Sequence, residues 1–68
     1  MENPEYTLII TCYDEAIVIR SGNSLPRLTT ALYALLSYGM PHSVGKIVDN
    51  KSGQVVRCCH RDDIAVAA

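Results

Sequence analysis

In two stretches near the start of the chain, apolar and polar side chains alternate as they do in half-buried strands. Residues 6–13 and 16–20 are rich in β-branched and aromatic side chains, which favour strands. In the first stretch one face collects three apolar residues: Leu8, Ile10 and Cys12. The opposite face is also partly apolar, as in a strand covered on both sides. A polar break at Asp14-Glu15 separates the two stretches, and the pattern predicts a β-hairpin.

The period then changes from two residues to the i, i+3/i+4 spacing of a helix. A leucine stripe predicts a helix over residues 25–38: Leu28, Leu32, Leu35 and Leu36. It follows a polar turn at residues 21–24. Ser24 is the expected N-cap, and Pro26 fits the first turn, where its missing N–H costs nothing. We expect Gly39 to end the helix in a left-handed conformation and Pro41 to prevent its continuation.

A second hairpin is predicted after the helix, from strands at residues 44–48 and 54–60. The connection from Asp49 to Gly53 fits a type I turn closed by a glycine with positive φ. In the remaining tail, Ile64 and Val66 could form a short edge segment or fray.

The order of elements is therefore β-β-α-β-β, and we expect one α+β domain over residues 1–68. The natural two-layer arrangement places the helix on one face of a mostly antiparallel four-stranded sheet. If the second and third strands are parallel neighbours, their connection is right-handed. The pattern leaves the strand order open.

The amino-acid composition limits the classes of function that this chain can have. Hydrophobic residues make up 49% of the 68 residues, a high fraction for a chain this short, whose core must be thin. We therefore expect part of this apolar surface to be covered in a homo-oligomer, in the simplest case a dimer. A net charge of −1 provides no basic field for phosphate binding. No apolar run is long enough to span a bilayer, no secretory signal precedes the domain, and the three cysteines are odd in number. These features predict a cytoplasmic protein with free thiols and no membrane partner.

The middle of the chain carries the main functional signal. No Asp, Glu, Lys or Arg occurs from Leu28 to Gly45, although a helix of a monomer ordinarily has charges opposite its core. Interface centres are depleted in charge and enriched in tyrosine. We therefore predict that a protein partner or a second copy contacts one helix face, formed by Thr30, Tyr33, Ala34, Ser37 and Tyr38.

The Cys58-Cys59-His60 cluster is the one place that suggests chemistry. On a strand Cys58 and His60 share a face about 6.5–7 Å apart, which exceeds hydrogen-bonding distance, while Cys59 points away. Cys12 and His42 could complete a set of four metal ligands, but no metal-binding spacing is present. We expect two ordinary strand cysteines, no metal, no cofactor and no catalytic residue. A metal- or thiol-dependent function centred on Cys58–His60 stays open as an alternative.

A nucleic-acid-binding or regulatory role is the other alternative. Arg20, Lys46 and Arg57 lie on three different predicted strands, and with nearby tyrosines they could form a single-strand platform on one sheet face. The chain has only four aromatic residues, all tyrosine, and no motif typical of RNA-binding sheets. Protein is therefore the expected partner.

The plan of the chain resembles a class of small proteins. A hairpin, a helix and a final hairpin with the run KIVDNKSGQVV, residues 46–56, resemble accessory proteins of phages and mobile elements, including anti-CRISPR inhibitors. The resemblance covers architecture and the rhythm of that hairpin, and no functional residue carries over. It implies stoichiometric binding that blocks a larger host complex, without turnover.

Overall fold

A computed structural model describes residues 3–39 and 41–64 and confirms the α+β order β-β-α-β-β. The first hairpin consists of β1, Tyr6–Cys12, and β2, Glu15–Gly22. Helix α1 spans Leu25–Ser37. The second hairpin consists of β3, Val44–Asp49, and β4, Val55–His60, and a short 3₁₀ helix follows at Arg61–Asp63.

All four strands form one antiparallel sheet in the order β2-β1-β3-β4. The two hairpins meet where β1 pairs with β3, and β2 and β4 are the edges. Strands β2 and β3 both run antiparallel to β1, which lies between them. They are therefore parallel to each other but not neighbours, and the connection through α1 crosses over β1.

Helix α1 begins as the sequence predicts and ends differently. The Ser24 hydroxyl accepts a hydrogen bond from the Arg27 N–H at 3.4 Å, and Pro26 occupies the first turn. The predicted left-handed Gly39 is wrong, because Gly53 is the one glycine with positive φ in the described ranges. A glycine is needed at 39 for space, since a Cβ there would lie 2.9 Å from the Leu35 carbonyl oxygen.

The core lies between the helix and one face of the sheet. It is formed by the buried side chains of Leu8, Ile10, Leu28, Leu32, Leu36 and Ile47. These include three of the four leucines of the predicted stripe and two of the three predicted strand positions. Cys12, the third, is also buried at 7% exposure. Leu35 of the stripe packs at the margin of this core.

Gly45 in β3 determines how closely the helix approaches the sheet. A Cβ at this position would overlap Leu32 Cδ1 and lie 3.1 Å from Leu36 Cδ1. Because both leucines are buried, neither can move aside without disturbing the core. The sequence pattern gave no sign of this requirement.

The first hairpin turns one residue earlier than expected. The polar break is not Asp14-Glu15, because Glu15 already pairs with Cys12 in β2, and Tyr13 lies in the turn and not in the strand. Tyr13 and Asp14 have φ values of 53° and 67°. Positive φ at both central residues is the backbone of a type I′ turn, which asparagine and glycine adopt more easily than tyrosine. At the other end, Ser21 and Gly22 extend β2 into the predicted turn.

We expect Tyr13→Asn to stabilise the protein by about 1 kcal/mol, because asparagine tolerates the left-handed region better than tyrosine. Tyr13 is 78% exposed, so little burial is lost. Thermal unfolding monitored by circular dichroism should show a rise in Tm of about 5 °C. Tyr38→Asn is the matched control, since Tyr38 is also exposed and has φ of −99°. An equal rise in Tm for both variants would contradict the turn explanation.

The second hairpin agrees with its prediction. Gly53 has φ of 75° and its N–H donates to the Asp49 carbonyl oxygen at 2.7 Å. The loop is further fixed because the Asp49 carboxylate accepts the Lys51 N–H at 2.8 Å. In the tail, Ile64 follows the 3₁₀ helix and packs against the core, so it is not an edge strand. Val66 lies outside the described residues.

Candidate functional site

The outer face of α1 has the exposure that the sequence predicts. Tyr33 is 48% and Tyr38 93% exposed, Thr30 and Ala34 are exposed, and Ser37 is half-buried. All five predicted residues therefore lie outside the core, four of them on α1 and Tyr38 directly after it as the C-cap residue. The Thr30 hydroxyl donates to the Pro26 carbonyl oxygen at 3.0 Å, so this polar group is satisfied within the helix. We call these five residues the helix face.

The helix face contains no charged side chain. Arg27, at the start of α1, carries the only charge of the 13-residue helix. The one ion pair within residues 3–39 and 41–64 joins His42 to Asp62, beyond the helix. Two exposed tyrosines with no charge on the same helix face are typical of a surface that another molecule covers.

The second outer surface is the sheet face turned away from the helix. Strand pairing places one row of Ile19, Ile9, Lys46 and Cys58 across it, and a second row of Ser21, Thr7, Val48 and Val55. Ile19 and Val55 are 65% and 51% exposed. These two rows are apolar apart from hydroxyls, the Cys58 thiol and Lys46. In the sequence, this second apolar surface was indicated by the apolar side chains on both faces of β1.

The three basic residues of the nucleic-acid alternative do not share a sheet face. Arg20 pairs with Leu8, and Arg57 pairs with Ile47, so both arginines lie on the helix side, at opposite edges. Lys46 pairs with Ile9 and Cys58 on the open face. The prediction of a common face is wrong because Lys46 is adjacent in sequence to core residue Ile47, and neighbours in a strand point to opposite sides. Tyr6, the one tyrosine within the described strands, lies on the helix side, away from Lys46.

The cysteine cluster is divided between the two sheet faces as predicted. Cys58 and His60 lie on the open face, and Cys59 lies beside Gly45 on the helix side. The thiols of Cys12, Cys58 and Cys59 are free. Burial is the main cause that raises the pKa of the Cys59 thiol, with smaller contributions from Asp63 and Cys58. A raised pKa disfavours the thiolate that a nucleophile needs. No group of three metal-ligating side chains occurs in the described part of the chain.

We expect the three thiols to react with Ellman's reagent at different rates. Cys58 is exposed and should react first, Cys59 more slowly because of its raised pKa, and buried Cys12 only on unfolding. Cys58→Ser should remove the fast phase, with Cys59→Ser as the matched control. Loss of the fast phase in Cys59→Ser would show that Cys59 is the reactive thiol.

An exposed ion pair between His42 and Asp62 lies beyond the C-terminal end of helix α1. His42 Nδ1 lies 2.9 Å from Asp62 Oδ2, and His42 adopts a φ of 67° in the loop that precedes β3. The hydrogen bond from His42 is the main cause that lowers the pKa of the Asp62 carboxyl. Nearby, the Arg61 N–H donates to the Ser43 carbonyl oxygen at 2.9 Å. The pair therefore joins the 3₁₀ helix to the loop after α1.

Because the pKa of Asp62 is lowered on folding, its ionised form stabilises the fold above the ordinary carboxyl pKa. This contribution is lost as pH falls through the lower, folded-state value. We expect Asp62→Asn to lower Tm slightly at about pH 5 and to have no effect on Tm at about pH 2. Asp63→Asn is the matched control. A difference in Tm that stays constant over this pH range would contradict the pairing.

An open cleft of about 620 Å³ lies where the start of the chain crosses the second hairpin; it is lined by Asn3, Pro4, Glu5, Tyr6, Asp49, Asn50 and Lys51. Its main polar side chain is engaged internally. The Asn50 amide accepts the Thr7 hydroxyl at 2.9 Å and donates to the Pro4 carbonyl oxygen at 3.1 Å. These bonds join the start of the chain to the second hairpin.

Comparison with protein families, curated proteins and solved structures finds no match to this chain. The only α-helix in the described residues has 13 residues and is not long and apolar enough to cross a bilayer.

Proposed function

We propose that this chain is a non-enzymatic protein-binding module that uses the helix face to contact a partner protein. The observation that carries the proposal is the exposure of Tyr33 on α1 and of Tyr38 at its C-cap, on a helix whose outer side has no charged residue beyond its first turn. Tyrosine contributes a large contact area at low conformational cost and an O–H that can bond to the partner.

The mode of action that we propose is stoichiometric. A surface of small and aromatic residues, without convergent acid, base or nucleophile, can occupy a site on a larger complex and exclude its normal ligand. Inhibition of a host complex by a chain of phage or mobile-element origin is the specific form that this proposal takes. Such an inhibitor would act in the cytoplasm and at a one-to-one ratio with its target.

The alternatives have less support from the arrangement of residues. A nucleic-acid platform needs cations and stacking aromatic side chains on one surface, whereas the three basic residues are split between two sheet faces. A thiol function needs a lowered cysteine pKa, whereas that of Cys59 is raised. Neither arrangement favours a second function.

Site-specific photo-cross-linking tests the proposal. Benzoylphenylalanine is introduced at Tyr33, and at exposed Gln54 as the matched control, and the chain is expressed in cells of its source. We expect one dominant cross-linked protein at position 33 and not at position 54. Adding Tyr38→Arg to the Tyr33 probe should abolish this product. The same products at both positions, or none at position 33, would exclude the helix face as the docking surface.

If a partner is captured, its activity gives the second test. Titration with the wild-type chain should inhibit the purified partner with a linear fall that ends near one equivalent. The Tyr38→Arg chain should inhibit only at a large excess. Binding without any loss of partner activity would keep the binding module and reject the inhibitor.

A further inference from the structure

Strand β2 is an exposed edge of the sheet. It is paired on one side only, with β1, and nearly all of its side chains are exposed, including Ile17 at 48% and Ile19 at 65%. Edge strands of monomers commonly carry lysine or proline, or inward-pointing charges that an added strand would leave unpaired. β2 has no lysine or proline and contains the β-branched run Ile17–Ile19.

The two charges of β2 lie at complementary positions. Glu15 pairs with Cys12 and Arg20 pairs with Leu8, so both lie on the helix side although they are five residues apart. A register shift opposite Ile10 and Thr11 makes this possible, because it inserts Ile17 as an extra residue between them. In a regular strand, residues five apart would point to opposite faces. Neither charge forms an ion pair within residues 3–39 and 41–64.

We propose that β2 pairs with β2 of a second copy of this chain, antiparallel, about a two-fold axis between Ile17 and Val18. In this register Glu15 faces Arg20 of the second copy at both ends of the pair, and Ala16 faces Ile19. The facing residues come from the same sheet side, as cross-strand neighbours must. The product is a continuous eight-stranded sheet with both helices on one side, and the unpaired backbone groups of β2 become paired.

Charge complementarity selects β2 over the other surfaces. The opposite edge, β4, contains Arg57 and no carboxylate, so a copy of β4 could offer no acid to Arg57. The open sheet face has Lys46 near its centre and no acid to receive it from a copy. The helix face has no charges to fix an orientation. Only β2 presents an acid and a base that exchange places under a two-fold rotation.

Reciprocal charge reversal tests this pairing by sedimentation velocity over a concentration series. Wild type should form a dimer, and Glu15→Arg or Arg20→Glu should each weaken it about tenfold or more, since two facing pairs become repulsive. An equimolar mixture of the two variants should form a heterodimer, because each then supplies the charge that the other lacks. The double variant Glu15→Arg/Arg20→Glu should recover the wild-type dimer.

Arg57→Glu, at the other edge, is the matched control and should dimerise like wild type. Circular dichroism on each variant checks that the fold is kept. A wild type that remains monomeric at high concentration, single variants that dimerise normally, or a mixture that stays monomeric would each overturn the proposal. These results do not depend on the helix-face experiment, because cross-linking at Tyr33 reports a different surface.

Discussion

Gly45→Ala should destabilise the protein by about 3 kcal/mol, the cost of overpacking a core that cannot relax. The new methyl group would overlap Leu32 Cδ1 and approach Leu36 Cδ1 to 3.1 Å. Leu32 and Leu36 are 1% and 0% exposed and have no empty space to enter. Because a domain of this size has a total stability of about 5 kcal/mol, urea unfolding should show a large fall in the midpoint.

Gly22→Ala is the matched control for this substitution. Gly22 is also in a strand on the helix side, but its added Cβ would lie 3.7 Å from the Leu28 side chain, an ordinary contact. Its urea midpoint should stay close to that of wild type. Leu32→Ala should partly rescue Gly45→Ala. The double variant should lose less free energy of unfolding than the two single variants lose in sum. Strict additivity would show that Leu32 is not what the methyl group meets.

Leu36→Ala should destabilise the protein by about 3 to 4 kcal/mol, through lost burial and the cavity that remains. Leu36 is fully buried near the end of α1, and a core this thin has few neighbours that can fill the space. Leu35→Ala, at the next position, is the control and should cost far less, because Leu35 is only partly buried. Similar losses for both variants in urea unfolding would mean that the helix is rotated from the described orientation.

The elements of this fold are predictable because each depends on a local signal. The leucine spacing identifies α1, and Ser24 and Pro26 identify its start. The loop with Gly53 has the chemistry of its turn, and the alternation in β1 identifies its buried face. In each case the residues that decide the structure are close together in the sequence.

What could not be predicted depends on backbone conformation and on strand register. Gly39 looks like a left-handed cap, but the Leu35 carbonyl oxygen is what excludes a side chain there. The type I′ turn uses Tyr13 and Asp14, which carry no turn signal strong enough to place it. For the site, the helix face followed from the missing charges, whereas the grouping of Arg20, Lys46 and Arg57 required the strand register. A register shift of one residue moves a side chain to the other face, and the sequence does not contain that information.

The strand order has a consequence for how the chain folds. Each hairpin joins segments separated only by a short turn, whereas the pairing of β1 with β3 brings together Leu8 and Ile47, more than half the chain apart. Closing that long loop costs more chain entropy than closing either turn, so the two hairpins can form early and their association limits the folding rate. Helix α1 covers the seam between them, and its docking completes the native state.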